Sequence, residues 1–206
     1  MKKFRQHWKP IIFTICILIF IAIVALLLGD KIPAFDSFVY NIISKIKCEP
    51  VTFLAKLLSF FCIVWFILVF TVLCMIFMHN KKQAFYIALN VILCVILNQS
   101  LKYLFLRPRP VNINLIIEDG YSFPSGHSMV SLAFYGFFIY IIYHMRIKKN
   151  KKYLYCSLLA LLTLLIGLSR IYLGVHYASD VIAGFALSMA YLIIYIKVFY
   201  KKIGIY

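Results

Sequence analysis

The sequence predicts an all-α polytopic membrane protein, with six transmembrane helices in one bundle and a short interfacial helix near residues 34–46. Of its 206 residues, 65% are hydrophobic and 14% charged, and the mean hydropathy is +0.97. A soluble domain of this length has no interior able to take that much apolar surface, so the bilayer is its solvent. Apolar runs long enough to span recur along the whole chain, and the turns between them alternate in charge. The expected organisation is one helical membrane domain over residues 1–206, with no separate soluble module.

The first run, about 11–29, follows the basic leader Lys2, Lys3, Arg5 and Lys9. Its apolar stretch is long for a signal peptide, and Gly29-Asp30-Lys31 is no small-residue cleavage site, so it reads as an uncleaved span. In the connection 30–56, Phe35, Phe38, Val39, Ile42, Ile43 and Ile46 recur at helical spacing against Asp36, Asn41, Ser44 and Lys45. That pattern predicts an amphipathic helix at the outer interface, with packing on the bundle as its plainest role. Further spans follow at about 57–78, 83–104, 126–144, 153–171 and 178–197, joined on one side by short basic turns at 79–82 and 145–152.

The net charge of +16 invites a nucleic-acid reading, but the distribution of the charges opposes it. With the N-terminus inside and six alternating spans, 14 of the 22 basic residues fall inside, in the N-terminal leader, the two short turns and the C-terminal segment. All six acidic residues fall outside. This is the positive-inside pattern of a multi-pass plasma-membrane protein with both termini cytoplasmic. The partners it implies are the bilayer and its lipids, not nucleic acid. Cysteines 16, 48, 62, 74, 94 and 156 form no CxxC pair and suggest neither a disulfide framework nor a zinc site.

Three polar blocks interrupt this apolar chain. In the first, Lys102 sits in the last turn of the third span, and Pro108 and Pro110 place Arg107 and Arg109 on extended chain beyond it. Snorkelling is the ordinary explanation for cations at a span's end. These cations lie on the outer side, however, where the charge rule disfavours them, and anion binding accounts for the exception. In the second block, Phe123-Pro124-Ser125-Gly126-His127, proline is expected in the first helical turn, leaving the amides of Ser125, Gly126 and His127 free at a positive helix end. Gly126 would let an anion approach the backbone, and Ser125 adds a hydroxyl. In the third block, Ser169-Arg170 is followed by His176 and Asp180, four apart at the start of the last helix. Arg170 offers a planar fork of donors for an anion. An aspartate on one imidazole nitrogen leaves the other free to act as a nucleophile. Each block alone has a structural explanation, but Lys102, Arg109, Ser125, His127, Arg170, His176 and Asp180 all fall at the same outer face.

In this order the blocks resemble the type-2 phosphatidic acid phosphatase superfamily, whose pattern is K-x6-R-P, then P-S-G-H, then S-R-x5-H-x3-D. Lys102, Arg109-Pro110, Pro124 to His127, Ser169-Arg170, His176 and Asp180 meet it in full, within a motif core of 102–180. The resemblance implies an integral-membrane lipid phosphatase with no metal and no cofactor. His176 would be the nucleophile that becomes a phosphohistidine, Asp180 its orienting partner, and His127 the general acid. Lys102, Arg109, Ser125, Gly126 and Arg170 would bind the phosphate. Its substrate would be a membrane lipid such as phosphatidylglycerol phosphate, phosphatidic acid or undecaprenyl pyrophosphate, taken at the outer face.

A phosphotransferase using the same intermediate is the nearest alternative. A transporter is disfavoured because neither internal repeats nor broken, charged mid-membrane helices are visible. A catalytically dead lipid-binding protein is disfavoured by the intact set of histidines and cations.

Overall fold

The computed structural model describes residues 8–203, and the basic residues Lys2, Lys3 and Arg5 of the leader lie outside them. Eight helices and no strands are present among the described residues: α1 (Trp8–Leu28), α2 (Pro33–Ser44), α3 (Glu49–Phe60), α4 (Val64–Phe77), α5 (Lys81–Phe105), α6 (Gly126–His144), α7 (Lys149–Tyr172) and α8 (Ala178–Ile203). Helices α1, α5, α6, α7 and α8 are each long and apolar enough to cross a membrane. The expected second span, 57–78, is instead two helices. α3 begins at Glu49, eight residues early, and meets α4 at a bend of 47°. No proline or glycine lies at the break, residues 61–63. It is stabilised from a distance: the Phe61 carbonyl released there accepts Tyr135 Oη–H at 2.6 Å from α6.

α6 is the most enclosed span, flanked by α5, α7 and α8, while α1 is peripheral and packs on α8. Ile67 of α4, Ile87 of α5, Phe134 and Phe137 of α6, Ile166 of α7 and Tyr195 of α8 share one core. Polar groups inside the bilayer must find protein partners, and they do so between helices. Asn90 Nδ2 donates to the Ala133 carbonyl at 2.7 Å, and Ser188 Oγ donates to the Met129 carbonyl at 2.7 Å.

Two packing features bring the polar blocks together. A Cβ on Gly184 would stand 3.0 Å from the Ser125 carbonyl, so glycine there lets α8 press against the start of α6. At the end of the bundle where α7 stops and α8 begins, α2 packs on both, as its amphipathic pattern predicts, but with an inversion. Asp36, read as part of the solvent face, is its most buried residue at 4% exposure, whereas Phe35, Phe38, Ile42 and Ile46 are exposed. Val39 and Ile43 alone of the apolar stripe pack against buried residues.

Candidate active site

The site assembles at one end of the bundle, where α5 stops and α6 and α8 begin. α5 ends because Leu106 turns left-handed (φ 48°), its N–H closing on the Lys102 carbonyl at 3.0 Å. The prolines keep the next residues out of the helix, as expected. Arg109 is thereby delivered to the interior of the site. Its Nε donates to the Gly120 carbonyl (3.1 Å), its Nη2 to the Asp119 carbonyl (3.0 Å) and its Nη1 to the Val175 carbonyl (2.9 Å). The same Nη1 lies 3.1 Å from His176 Nε2. Lys102 belongs to the same electrostatic neighbourhood, within the field of Arg109, Asp180 and Arg170.

The start of α6 differs from the expectation in detail. Pro124 precedes the helix, and Ser125 is its N-cap, with Oγ accepting from the Ser128 amide at 3.4 Å and from Ser128 Oγ at 3.0 Å. The Ser125 amide is not free: it donates to the Asp180 carbonyl at 3.1 Å, because α8 lies so close. The Gly126 and His127 amides occupy the first two helical positions, where no intrahelical acceptor exists. Gly126 also has a packing reason, since a Cβ there would stand 3.0 Å from Asn98 Oδ1. Asn98 Nδ2 in turn donates to the Pro124 carbonyl at 3.0 Å.

At the end of α7, Arg170 is 1% exposed, donating through Nη1 to Ser59 Oγ at 3.0 Å and through Nη2 to Glu118. Ser169 supports it indirectly, its Oγ lying 3.0 Å from Ser59 Oγ. The chain then turns through Gly174 (φ +70°) into His176, which is 2% exposed.

Around His176 the hydrogen bonds fix the tautomer. A guanidinium has no acceptor, so Nε2 facing Arg109 must be the unprotonated nitrogen. Nδ1 then carries the proton, 3.5 Å from Asp180 Oδ2 and 3.4 Å from Ser122 Oγ, which itself donates to that Asp180 oxygen. Burial pushes the His176 pKa down to about 3; Asp180 opposes the shift, and Arg109 and Arg170 add to it. The imidazole is therefore neutral, with its nucleophilic lone pair directed at the cations. Asp180 is also the third residue of α8, and its Oδ2 accepts the Tyr177 amide at 2.9 Å. The carboxylate is thus locked to the helix start as well as to the histidine.

His127 stands in the field of Lys102 and of Arg109, the residue that touches His176. Its Nε2 is buried with no hydrogen-bond partner among the described residues, and the same holds for Arg170 Nε. Arg109 and Arg170 share the Glu118 carboxylate, and the unpartnered Arg170 Nε leaves a further donor on that fork for an anion.

Four neighbours were not anticipated. Glu118 pairs with Arg170 and, through its other oxygen, with Arg109 at 3.1 Å. The sequence therefore understated the carboxylates here, having placed only Asp180 in the site. Ser122 bridges His176 and Asp180. Arg107, grouped in the sequence with Lys102 and Arg109 as a cation suited to an anion, instead donates to Asp180 Oδ1 at 2.5 Å and to Asp36 Oδ2 at 2.7 Å. Asp36 reaches the centre from α2. The available signals were the isolation of Glu118-Asp119 as the only acids between the first two blocks, and the helical spacing of Asp36 with Val39 and Ile43.

Comparison with known proteins shows what the chain as a whole is similar to. A family model described as the PAP2 superfamily matches residues 83–203, more than half of the chain. Phosphatidylglycerophosphatase B of Bacillus subtilis is 39% identical over 110 residues, which cover 52% of this chain and 53% of that protein, about half its length. Undecaprenyl-diphosphatase of Sulfolobus acidocaldarius is 24% identical over 194 residues, covering 91% of this chain and 87% of that one. The crystal structure of a transmembrane PAP2 type phosphatidylglycerolphosphate phosphatase from Bacillus subtilis shares the fold, with a TM-score of 0.83 at 24% identity over 93% of this chain and 97% of that chain. Aquifex aeolicus LpxE also shares it, with a TM-score of 0.61 at 24% identity over 77% and 93%.

Proposed function

We propose that this chain, which belongs to the PAP2 superfamily, is an integral-membrane lipid phosphatase working through a phosphohistidine. The observation that carries the reading is the placement of His176. Its Nε2 lies 3.1 Å from Arg109 Nη1, which can only donate, while Asp180 and Ser122 stand at its other nitrogen.

In the proposed reaction a phosphoryl group enters between Arg109 and Arg170, taking the place of the Glu118 carboxylate. His176 Nε2 forms a bond to phosphorus as the bond to the leaving lipid oxygen breaks. His127 gives that oxygen a proton. Lys102, Arg109, Arg170 and the amides of Gly126 and His127 stabilise the charge spread over the phosphoryl oxygens. Ser125 shapes this anion site as the α6 cap and keeps a hydroxyl proton to donate. Asp180 supports the cationic imidazole formed on attack. Water, deprotonated by His127, then attacks the phosphohistidine, the P–N bond breaks and inorganic phosphate leaves.

The substrate is a lipid phosphate or pyrophosphate, of which phosphatidylglycerol phosphate, phosphatidic acid and undecaprenyl pyrophosphate are candidates; the names of two relatives point to the first and last. Tyr103, Leu104, Leu106 and Val111, all exposed and apolar, flank the arginines and suit acyl or prenyl tails that stay in the bilayer. The whole chain acts as one membrane-embedded unit. The basic turns support cytoplasmic termini and a site facing outward. Phosphate release from these lipids in detergent, with EDTA present, tests the proposal. It should be inhibited by orthovanadate and abolished in His176→Ala; turnover retained by that variant, or lost to EDTA, overturns it.

A further inference from the structure

We infer that Asp36 and Arg107 are positioning residues of the phosphoryl-transfer centre: Asp36 on the interfacial helix holds Arg107, and Arg107 holds the Asp180 carboxylate against His176. The inference rests on the phosphatase reading and extends it to two residues outside the family's motif positions.

The geometry is that of a relay. Arg107 sets one arm of its fork on each carboxylate, Nη1 on Asp180 Oδ1 at 2.5 Å and Nη2 on Asp36 Oδ2 at 2.7 Å. Its Nη1 also reaches Ser179 Oγ at 2.8 Å, and its Cζ lies 4.0 Å from the Tyr177 ring centroid. Asp36 is tied at both oxygens. Oδ1 accepts the Ser179 amide at 2.8 Å, and Oδ2 accepts Ser179 Oγ–H at 2.8 Å beside the arginine. The acid is therefore anchored to the residue immediately before Asp180. The side chains of Asp36, Arg107 and Asp180 are 2%, 9% and 0% exposed, so water screens little of this network.

Arg107 does something for His176 that no phosphate-binding cation does. Apart from His176, it is the only ion-pair partner of Asp180 among the described residues. Without it the one remaining direct partner of the buried carboxylate is His176, and a proton drawn onto that imidazole would consume the lone pair needed for attack. Asp36 keeps Arg107 in register: the guanidinium is held from three sides and cannot swing out toward Glu118 or an arriving phosphate. Neither residue touches the position of the phosphoryl group, so their loss should slow the chemistry and spare binding.

Asp36→Asn is the informative variant, because it keeps an oxygen for Ser179, and hence the anchor of α2, while removing the charge that holds Arg107. Its kcat should fall on the order of 10- to 100-fold, the usual effect of losing an outer-shell orienting partner. KM for short-chain phosphatidic acid and Ki for inorganic phosphate should stay within about threefold, far less than the loss expected when a phosphate-binding cation is removed. In the pair of single variants with Arg107→Gln, the double variant should be no slower than Arg107→Gln alone, as residues acting in series require. A fully active Asp36→Asn overturns the relay, as do multiplicative losses in the double variant or a parallel collapse of inorganic phosphate binding, which would mark a merely structural role. A wild-type chain releasing no phosphate would instead sink the phosphatase reading on which the relay depends.

Discussion

The Glu118 carboxylate pairs with the buried guanidinium of Arg170, and its second oxygen lies 3.1 Å from Arg109. It occupies the space between two cations that a phosphoryl group would need. A tetrahedral phosphate dianion set between the two guanidinia would make the same two contacts, so in the proposed reaction Glu118 gives way to the substrate. Glu118→Gln keeps the shape and removes the competing charge. Orthovanadate should then bind more tightly, by about fivefold if the displaced pair is worth on the order of 1 kcal/mol. Inhibition constants for the two proteins decide the matter: weaker binding in the variant would mean that Glu118 assists the anion and does not exclude it.

Orientation in the membrane can be read from a native thiol. Cys48 lies between α2 and α3 at the active-site end, and it alone of the six cysteines is exposed; Cys62, Cys74 and Cys94 are buried and the other two are half-buried within spans. A membrane-impermeant maleimide added to intact cells should label the wild type and not Cys48→Ser. Labelling that requires permeabilised cells would put the site on the cytoplasmic side.

What could be read from the chain alone follows from how local each cause is. Spans such as α5 and α7 are legible because about twenty apolar residues in a row have few alternatives to a membrane helix. The break between α3 and α4 is not, because its stabilising partner, Tyr135, lies 74 residues from Phe61. At the site, Lys102, Arg109 and Arg170 stand out as cations on the disfavoured side, and His176 with Asp180 by helical spacing. Asp36 escaped because an acid in an amphipathic stripe is assigned to the solvent face, and only the approach of Arg107 from another segment reverses that. Ser125 and Gly126 were legible as a helix start; that Asp180 and Asn98 take up part of their capacity depends on how α5 and α8 pack.

The depressed pKa of His176 has a consequence for stability with a definite sign. Its ordinary value is 6.5 and its folded value about 3, so between these the unfolded chain binds a proton that the folded chain refuses. Stability must therefore fall as pH drops below about 6.5, with a slope of up to about 1.4 kcal/mol per pH unit from this group. His176→Gln removes that contribution. Between pH 7 and pH 5 its melting temperature in detergent should fall less steeply than that of the wild type. Parallel curves for the two proteins would show that His176 is not the buried neutral group described.

Gly174 and Gly120 form a pair in which strain and collision can be separated. Both have left-handed backbones, with φ of +70° and +77°. Alanine at Gly120 would meet nothing within 4 Å, so it costs only the conformational penalty, about 1–2 kcal/mol. Alanine at Gly174 would in addition drive its Cβ into the Ile113 carbonyl. That segment cannot easily retreat, because the Ile113 carbonyl also accepts from Tyr40 Oη at 3.4 Å, and the Leu115 amide donates to the Leu173 carbonyl at 2.8 Å. The strain would pass either into the loop carrying Glu118 or into His176, two residues along. Gly174→Ala should therefore lower the melting temperature by several degrees more than Gly120→Ala, at about 2–4 °C per kcal/mol for a chain of this size. It should also lose kcat, whereas Gly120→Ala keeps most of it. Equal melting temperatures for the two variants would mean that the turn before His176 is free to rearrange and does not set the histidine's position.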